Sequence, residues 1–339
     1  MSPFFSIIIP VFNQKKYLMD CVRSISAQDY NNYEVLLVDD GSVDQSGEIC
    51  DRIAENDKRF RVIHQENQGA AVARNTGLEY AVGDYVLFMD PDDLWGKNKL
   101  LSEAIRVIEI EKCDAIIFGM KKKYGDNEIT EEWLDIFSNE AFKRSSDRMQ
   151  YLMEHNVFQS SAWSKIVKRD IIENGGARFV PGQMAEDIEW NLRILQLIKS
   201  VSVMPEAIYV YRQVKKSASH TVSARHVKDV AEMIKKYAAM EDGERKKYVF
   251  HYLANQYLQW MTMTNYVDLN EIKSNLREMK QFYYLLDYDW YPYVKKAKKQ
   301  GRISLKFRYY VVYLNLRKFI QKRIHEMFVR VNWDIFRLS

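Results

Sequence analysis

The sequence predicts an α/β chain built on a mostly parallel, doubly wound sheet. Three observations carry that expectation. Apolar, β-branched runs such as "FSIIIPVF" (5–12) are continuous rather than alternating, which is how strands buried on both faces read. Each run is followed by a stretch with apolar residues at helical spacing, and the two patterns alternate over the first 120 residues. Strict βαβα order then favours parallel pairing through crossover helices.

The elements follow in order. After the first strand, "KKYLMDCVRSISAQ" (15–28) places Leu18, Cys21, Val22 and Ile25 on one helical face. "YEVLLVDD" (33–40) is a second strand ending in acid. "SVDQSGEICDRIAEN" (42–56) reads as a helix capped by Ser42, with Asp44 in its first turn. A third strand, "RFRVIHQ" (59–65), and a third helix, "GAAVARNTGLEYAVG" (69–83), precede the fourth strand, "YVLFMD" (85–90). A fourth helix (97–112) and a fifth strand, "DAIIFGM" (114–120), complete the alternation. Residues 121–150 are polar and irregular. "AWSKIVKRDIIENGG" (162–176) and "AEDIEWNLRILQLIKS" (185–200) read as further segments of the same domain, and "VSVMPEAIYVYRQ" (201–213) as a strand pair or an edge. From about 225 the pattern is helical and rich in Tyr, Lys and Arg, with no internal repeat.

Composition narrows the class. With 339 residues, 47% hydrophobic and 28% charged, the chain is globular in type and long enough for one large domain and a smaller one. Three Cys, odd in number and without metal-ligand spacing, suit a reducing cytoplasm. "MSPFFSIIIPVF" lacks the basic start of a secretion signal, and no apolar run approaches the ~20 residues that span a bilayer, so a soluble or peripheral protein is expected. The net charge of +4 conceals an asymmetry: residues 291–339 hold thirteen Lys and Arg against two Asp and Glu.

Ligands of doubly wound sheets bind beyond the carboxyl ends of the strands. The polar residues there are Asn13, Asp39, Asp40, Glu66, Asn67, Asp90, Asp92 and Asp93, and they are expected to line one crevice. The text after the first strand, "PVFNQ", contains no glycine, so the phosphate-cradling loop of dinucleotide-binding folds is excluded. Asp90-Pro91-Asp92 instead supplies hard oxygen donors suited to Mg²⁺ or Mn²⁺, which bridge phosphates. A solvated acidic turn is the plain alternative.

The segments "SIIIPVFNQKKYL", "EVLLVDDGSVDQSGEIC", "NQGAAVARNTGLEYAVGDYVLFMDPDDLW" and "EDIEW" resemble family 2 glycosyltransferases of the GT-A fold, closely over about residues 4–120 and more thinly to about 220. The resemblance implies a GT-A domain at 1–222, with a donor half to about 120 and an acceptor half beyond it; the residue pattern adds a helical, basic C-terminal region at 223–339, outside the resemblance. It implies a nucleotide-sugar donor, commonly a UDP-sugar. Pro10 and Phe12 would line the base pocket, Asp40 would accept a hydrogen bond from uracil with Asp39 beside it, and Arg74 would face the nucleotide. A structural pair of Arg74 with Asp39 or Asp90 is the alternative. Asp92 would be the principal metal ligand, Asp90 would bind ribose, metal or both, and Asp93 would orient neighbours. Asp187 would be the general base of an inverting transfer, with Glu186 orienting it or binding acceptor hydroxyls; an acidic start to a helix over 188–199 is compatible with that role. Trp163 and Lys165 match an acceptor-side segment, and His220 lies where some relatives make a metal or phosphate contact, as do Arg212, Lys215 and Lys216.

The basic, aromatic segment 291–339 fits nucleic acid, an anionic membrane surface or a packed bundle with a basic face. Nucleic acid is not the expected partner, and the lipid-linked acceptors of many relatives favour the membrane. The expected activity is transfer of a sugar to a glycan or lipid-linked glycan in surface-polysaccharide synthesis, such as capsule or exopolysaccharide. The protein would work in the cytoplasm or at the inner face of the cell membrane. A nucleotidyltransferase and a non-catalytic glycan- or membrane-binding module are the rival classes.

Overall fold

The computed structural model describes residues 4–124, 127–129, 140–155, 157–213, 222–241, 243–268 and 270–288. The chain divides into two compact units: residues 1–220 with 242–249, and residues 221–241 with 250–339.

The first unit is an α/β layer structure. β1 (Phe5–Val11), β2 (Tyr33–Asp39), β3 (Phe60–His64) and β4 (Tyr85–Phe88) pair in parallel in the order β3-β2-β1-β4. All seven residues of β1 and of β2 are buried, as their unbroken apolar pattern predicts. The connecting helices are α1 (Leu18–Ser26), α2 (Ser46–Asn56) and α3 (Ala70–Tyr80). α3 is rich in small residues and lies close on the sheet; a Cβ built on Gly77 would stand 2.3 Å from Ile8 Cγ2.

Beyond β4 the simple alternation stops. β5 (Leu94–Trp95) is short, and α4 (Leu100–Glu111) leads to β6 (Ala115–Tyr124), which pairs with β7 (Asn127–Ile129). α5 (Glu140–Arg144) and α6 (Arg148–Glu154) come next. β8 (Lys165–Lys168) then inserts antiparallel between β4 and β6, followed by α7 (Arg169–Asn174), α8 (Glu186–Leu197) and β9 (Val201–Arg212). The full order is β3-β2-β1-β4-β8-β6-β9-β5.

The strand read at 114–120 is β6, and β8 separates it from β4; four residues reading "KIVK" carry no long apolar signal. Two sequence expectations are corrected. The 201–213 stretch is one strand with neighbours on both sides, parallel to β6 and antiparallel to β5, and its register shifts beside Gly119. Pro205, which lacks an N–H, falls within that irregular part of the strand, where a missing ladder donor is tolerated. Finally, Ser42 does not cap α2. That helix starts at Ser46 behind a left-handed Gln45, and the Ser42 hydroxyl instead accepts the Asn13 amide at 3.1 Å.

The second unit is helical where described: α9 (Ala224–Ala238), most of α10 (Lys246–Met263), α11 (Lys273–Glu278) and a 3-10 run, Met279–Tyr288. Ser223 caps α9 by accepting the His226 amide, and the Trp260 indole donates to the Val227 carbonyl at 2.9 Å. No helix among the described residues is long and apolar enough to cross a membrane.

Candidate active site

Arg74 projects from the buried face of α3, and its side chain is 7% exposed. Its Nη2 donates to Asp90 Oδ1 at 3.0 Å, and its Nη1 donates to Glu186 Oε1 at 2.6 Å and lies 3.4 Å from Asp187 Oδ1. One guanidinium therefore gathers an acid from the end of β4 and two from the start of α8. Phe179 fixes the guanidinium plane, with its ring centroid 5.3 Å from Arg74 Cζ. Phe179 in turn stacks on Trp190 at 5.2 Å and exchanges two backbone bonds with the Asn75 side chain. The alternative pairing of Arg74 with Asp90 is thus realised; pairing with Asp39 is not.

Asp187 sits in the first turn of α8, behind Ala185 at φ 58°, where the helix N-terminus favours acid. Its Oδ2 accepts the Ala162 amide at 3.1 Å. Its Oδ1 is buried without a hydrogen bond, since the Arg74 contact is an ion pair without hydrogen-bond alignment. Burial pushes the Asp187 carboxyl up to about 6; Arg74 opposes the rise, while Glu186 and Asp90 add to it. A carboxylate with an unused oxygen, tuned toward neutrality, is suited to taking a proton.

The turn after β4 separates its three acids by role. Asp93 is fully buried, accepts from Tyr209 Oη at 2.6 Å and from the Arg212 amide at 2.7 Å, and so ties the turn to β9. Tyr209 also accepts the Asp90 amide. Asp92 stays partly exposed. Burial and the Asp90 charge push its carboxyl up to about 6, and Arg212 offsets this only in part. A further positive charge at this turn would relieve that strain. Among the described residues no three His, Cys, Asp or Glu form a ready-made metal cage. Two strand-end carboxylates of this kind suit Mg²⁺ or Mn²⁺ whose coordination is completed by phosphate and water.

On the far side of β1, the loops after β1 and β2 are sewn together. Asn13, left-handed at φ 53°, donates its amide to Ser42 Oγ and accepts the Val43 amide, while Lys15 N donates to Asp44 Oδ2. Pro10 is buried near the end of β1, where the ladder to β4 has already ended at Ile8, so its missing N–H leaves no gap. Phe12 is 45% exposed, an unusual value for a large aromatic ring. Asp39 accepts the Ser42 amide and pairs with His64 Nδ1 at 2.9 Å. Asp40 is 2% exposed and accepts three bonds, from Gln65 Nε2 (2.7 Å), Gln68 N (2.9 Å) and Gly69 N (2.8 Å). Of about four lone-pair sites on a carboxylate, the chain itself occupies three, so the donor-base role implied for Asp40 is in competition with a structural one.

The two residues expected at the acceptor side are both buried. Trp163 is 7% exposed and stacks on Tyr209 with ring centroids 4.1 Å apart, a packing position that leaves no free face for a sugar on that side. Lys165 is 1% exposed, and its ammonium is spent on the Gln159 and Ser161 carbonyls. His220, Lys215 and Lys216 lie outside the described residues, as does the segment 291–339. Arg212 pairs with Asp20 at 3.5 Å and lies over the Tyr17 ring. Sequence reasoning missed Phe179, Tyr209 and the Ala162 amide; the first two look like ordinary apolar text, and a backbone donor leaves no sequence signal.

The sheet has GT-A architecture, with acids gathered at its strand ends, and the comparisons identify the family. The family model Glycosyl transferase family 2 matches residues 6–176. Glycosyltransferase GlyG of Streptococcus pneumoniae is 29% identical over 84% of this chain and 97% of its own length. Glycosyltransferase EpsJ of Bacillus subtilis, itself uncharacterized, is 31% identical over 63% of this chain, which spans 62% of that relative. Among solved structures, Staphylococcus aureus TarS 1–349 in complex with UDP-GlcNAc superposes with a TM-score of 0.62 at 20% identity, covering 89% of this chain and 93% of that one. Mannosyltransferase PcManGT from Pyrobaculum calidifontis, in complex with GDP-Man and Mn²⁺, gives 0.57 at 17% identity over 95% and 87%. The chain belongs to glycosyl transferase family 2 and is an enzyme of that type.

Proposed function

We propose that the protein is a metal-dependent, inverting glycosyltransferase that moves a sugar from a nucleotide-sugar, most simply a UDP-sugar, to a hydroxyl of a glycan or lipid-linked glycan. The single observation that carries this reading is the Arg74 bridge, which brings Asp90 of the strand-end cluster within reach of the same guanidinium as Asp187. UDP-GlcNAc in TarS, and GDP-Man with Mn²⁺ in PcManGT, support the donor class and the ion.

Asp92, with Asp90, holds the divalent ion. When bound, that ion supplies Lewis-acid stabilisation of the departing diphosphate. Phe12 offers an apolar face to the donor base, and Asp39 and Asp40 shape the floor of that pocket through the loops they bond. The Asp187 carboxylate takes the proton from the acceptor hydroxyl as it attacks the anomeric carbon from the side opposite the leaving group. A single displacement of this kind inverts the centre, since retention by double displacement needs a second, enzyme-borne nucleophile. Arg74 favours the ionised form of Asp187, and Glu186 helps hold that guanidinium in place. Residues 1–222 form the catalytic domain on this reading, and the basic segment 291–339 is a peripheral membrane contact at the cytoplasmic face.

The test is a panel of UDP- and GDP-sugars scored for nucleotide release with Mn²⁺ and with EDTA. Release from one donor that EDTA abolishes is expected; release from none, or release insensitive to EDTA, contradicts the proposal.

A further inference from the structure

Burying an ammonium is unfavourable unless its protons are bonded. Lys165 meets that condition in an uncommon way. Its Nζ donates to Gln159 O (2.6 Å), Ser161 O (2.9 Å) and Ser164 Oγ (3.0 Å), with the Phe158 ring centroid 4.6 Å away. From α8, the Asn191 amide donates to the intervening carbonyl, Ser160 O, and also to Asp187 O at 2.7 Å. Three consecutive carbonyls, 159–161, are thus gripped by two side chains. The next amide, that of Ala162, is the one bonded to Asp187 Oδ2.

We propose that Lys165 is a positioning residue for Asp187. Its ammonium fixes the 159–161 carbonyls, so the Ala162 amide holds Oδ2 and sets the orientation of the carboxylate toward the acceptor. Bare packing does not call for a cation here, because an apolar side chain of the same length fills the volume without the desolvation cost. The two groups also sense each other: burial lowers Lys165 to about 7, and the Asp187 charge resists that fall. This inference rests on Asp187 being the base, and it replaces the acceptor contact expected for Lys165.

The experiment is acceptor-free hydrolysis of whichever nucleotide-sugar the panel identifies, with Mn²⁺, comparing wild type, Lys165→Met, Asn191→Ala and Asp187→Asn across pH. Lys165→Met is expected to lower kcat at least about tenfold, leave the donor KM unchanged, and move the acid limb of the rate profile to higher pH, because a loosened Ala162 amide no longer favours the ionised carboxylate. Asn191→Ala, which frees the middle carbonyl and the Asp187 carbonyl while leaving the Lys165 bonds in place, should move kcat and the limb in the same directions by less, and it decides the matter if Lys165→Met does not fold. Wild-type kcat and an unmoved limb in the folded variants overturn the proposal; a residue that only touched acceptor gives that result, since no acceptor is present. If Asp187→Asn hydrolyses donor like wild type, the base assignment itself has failed. If Asp187→Asn is inactive while Lys165→Met is normal, only the positioning role has.

Discussion

Two carboxylates, Asp40 and Asp187, make the instructive contrast. Asp40, at the end of β2, accepts three hydrogen bonds from its own chain. Asp187, at the start of α8, accepts one from the Ala162 amide, and its other oxygen is buried without any. Both belong to the motifs through which the sequence resembles its family. Their surroundings differ because Asp40 closes a local junction between the loops after β2 and β3, while Asp187 stands where α3, α8 and the strand-end turn meet. A carboxylate with three of its four acceptor sites filled by its own chain is held for shape; one left short of donors and paired with a cation is available for chemistry.

The contrast predicts opposite failures. Asp187→Asn keeps an acceptor for the Ala162 amide, so its stability should stay within about 1 kcal/mol of wild type, while its turnover falls about 10²–10⁴-fold, the usual worth of a general base. Asp40→Ala strands two backbone amides and should cost about 3 kcal/mol of stability, read by urea denaturation, with turnover per folded molecule falling far less. Next in size is Arg74→Met. Removing the one cation among Asp90, Glu186 and Asp187 costs about 3–5 kcal/mol, and in the protein that survives, the acid limb of the rate profile rises. The sign is direct: Asp187 must be ionised to act, its carboxyl stands at about 6, and Arg74 is the group that restrains it, so wild-type rates climb with pH through about 6 and the variant's climb later. Gly77→Ala drives a Cβ toward Ile8 and should lose about 1–3 kcal/mol without shifting that limb. The smallest effect belongs to His64, which bonds Asp39 and Asp51 and is raised above the ordinary histidine range by them. Its stabilisation is present below the unfolded value and is lost as pH rises through the folded one. With its side chain 50% exposed, His64→Gln should change stability by less than about 1 kcal/mol.

Much of this was legible from the residues alone. β1 to β4 announce themselves as unbroken apolar runs, and Asp90, Asp92 and Asp187 stand out by their place after strands or before a helix. What stayed hidden depends on partners far along the chain. Nothing near Lys165 says that its ammonium turns inward onto carbonyls four and six residues back, or that Trp163 will be covered by Tyr209. The insertion of β8 between β4 and β6 is a choice among pairings that four residues cannot encode. The two backbone amides that hold Asp40 carry no letter of their own, so its structural bonds could not be read beside its expected ligand role.

The central claim is that the strand-end acids and the α8 acid divide one reaction between them. Titration of UDP with Mn²⁺ into wild type, Asp92→Asn and Asp187→Asn, followed by donor hydrolysis with the same three proteins, tests it most directly. The account predicts that Asp92→Asn loses both nucleotide binding and turnover, whereas Asp187→Asn binds UDP and Mn²⁺ as wild type does and turns over about 10²–10⁴-fold more slowly. Normal turnover by Asp187→Asn, or equal loss of UDP binding in both variants, would contradict it.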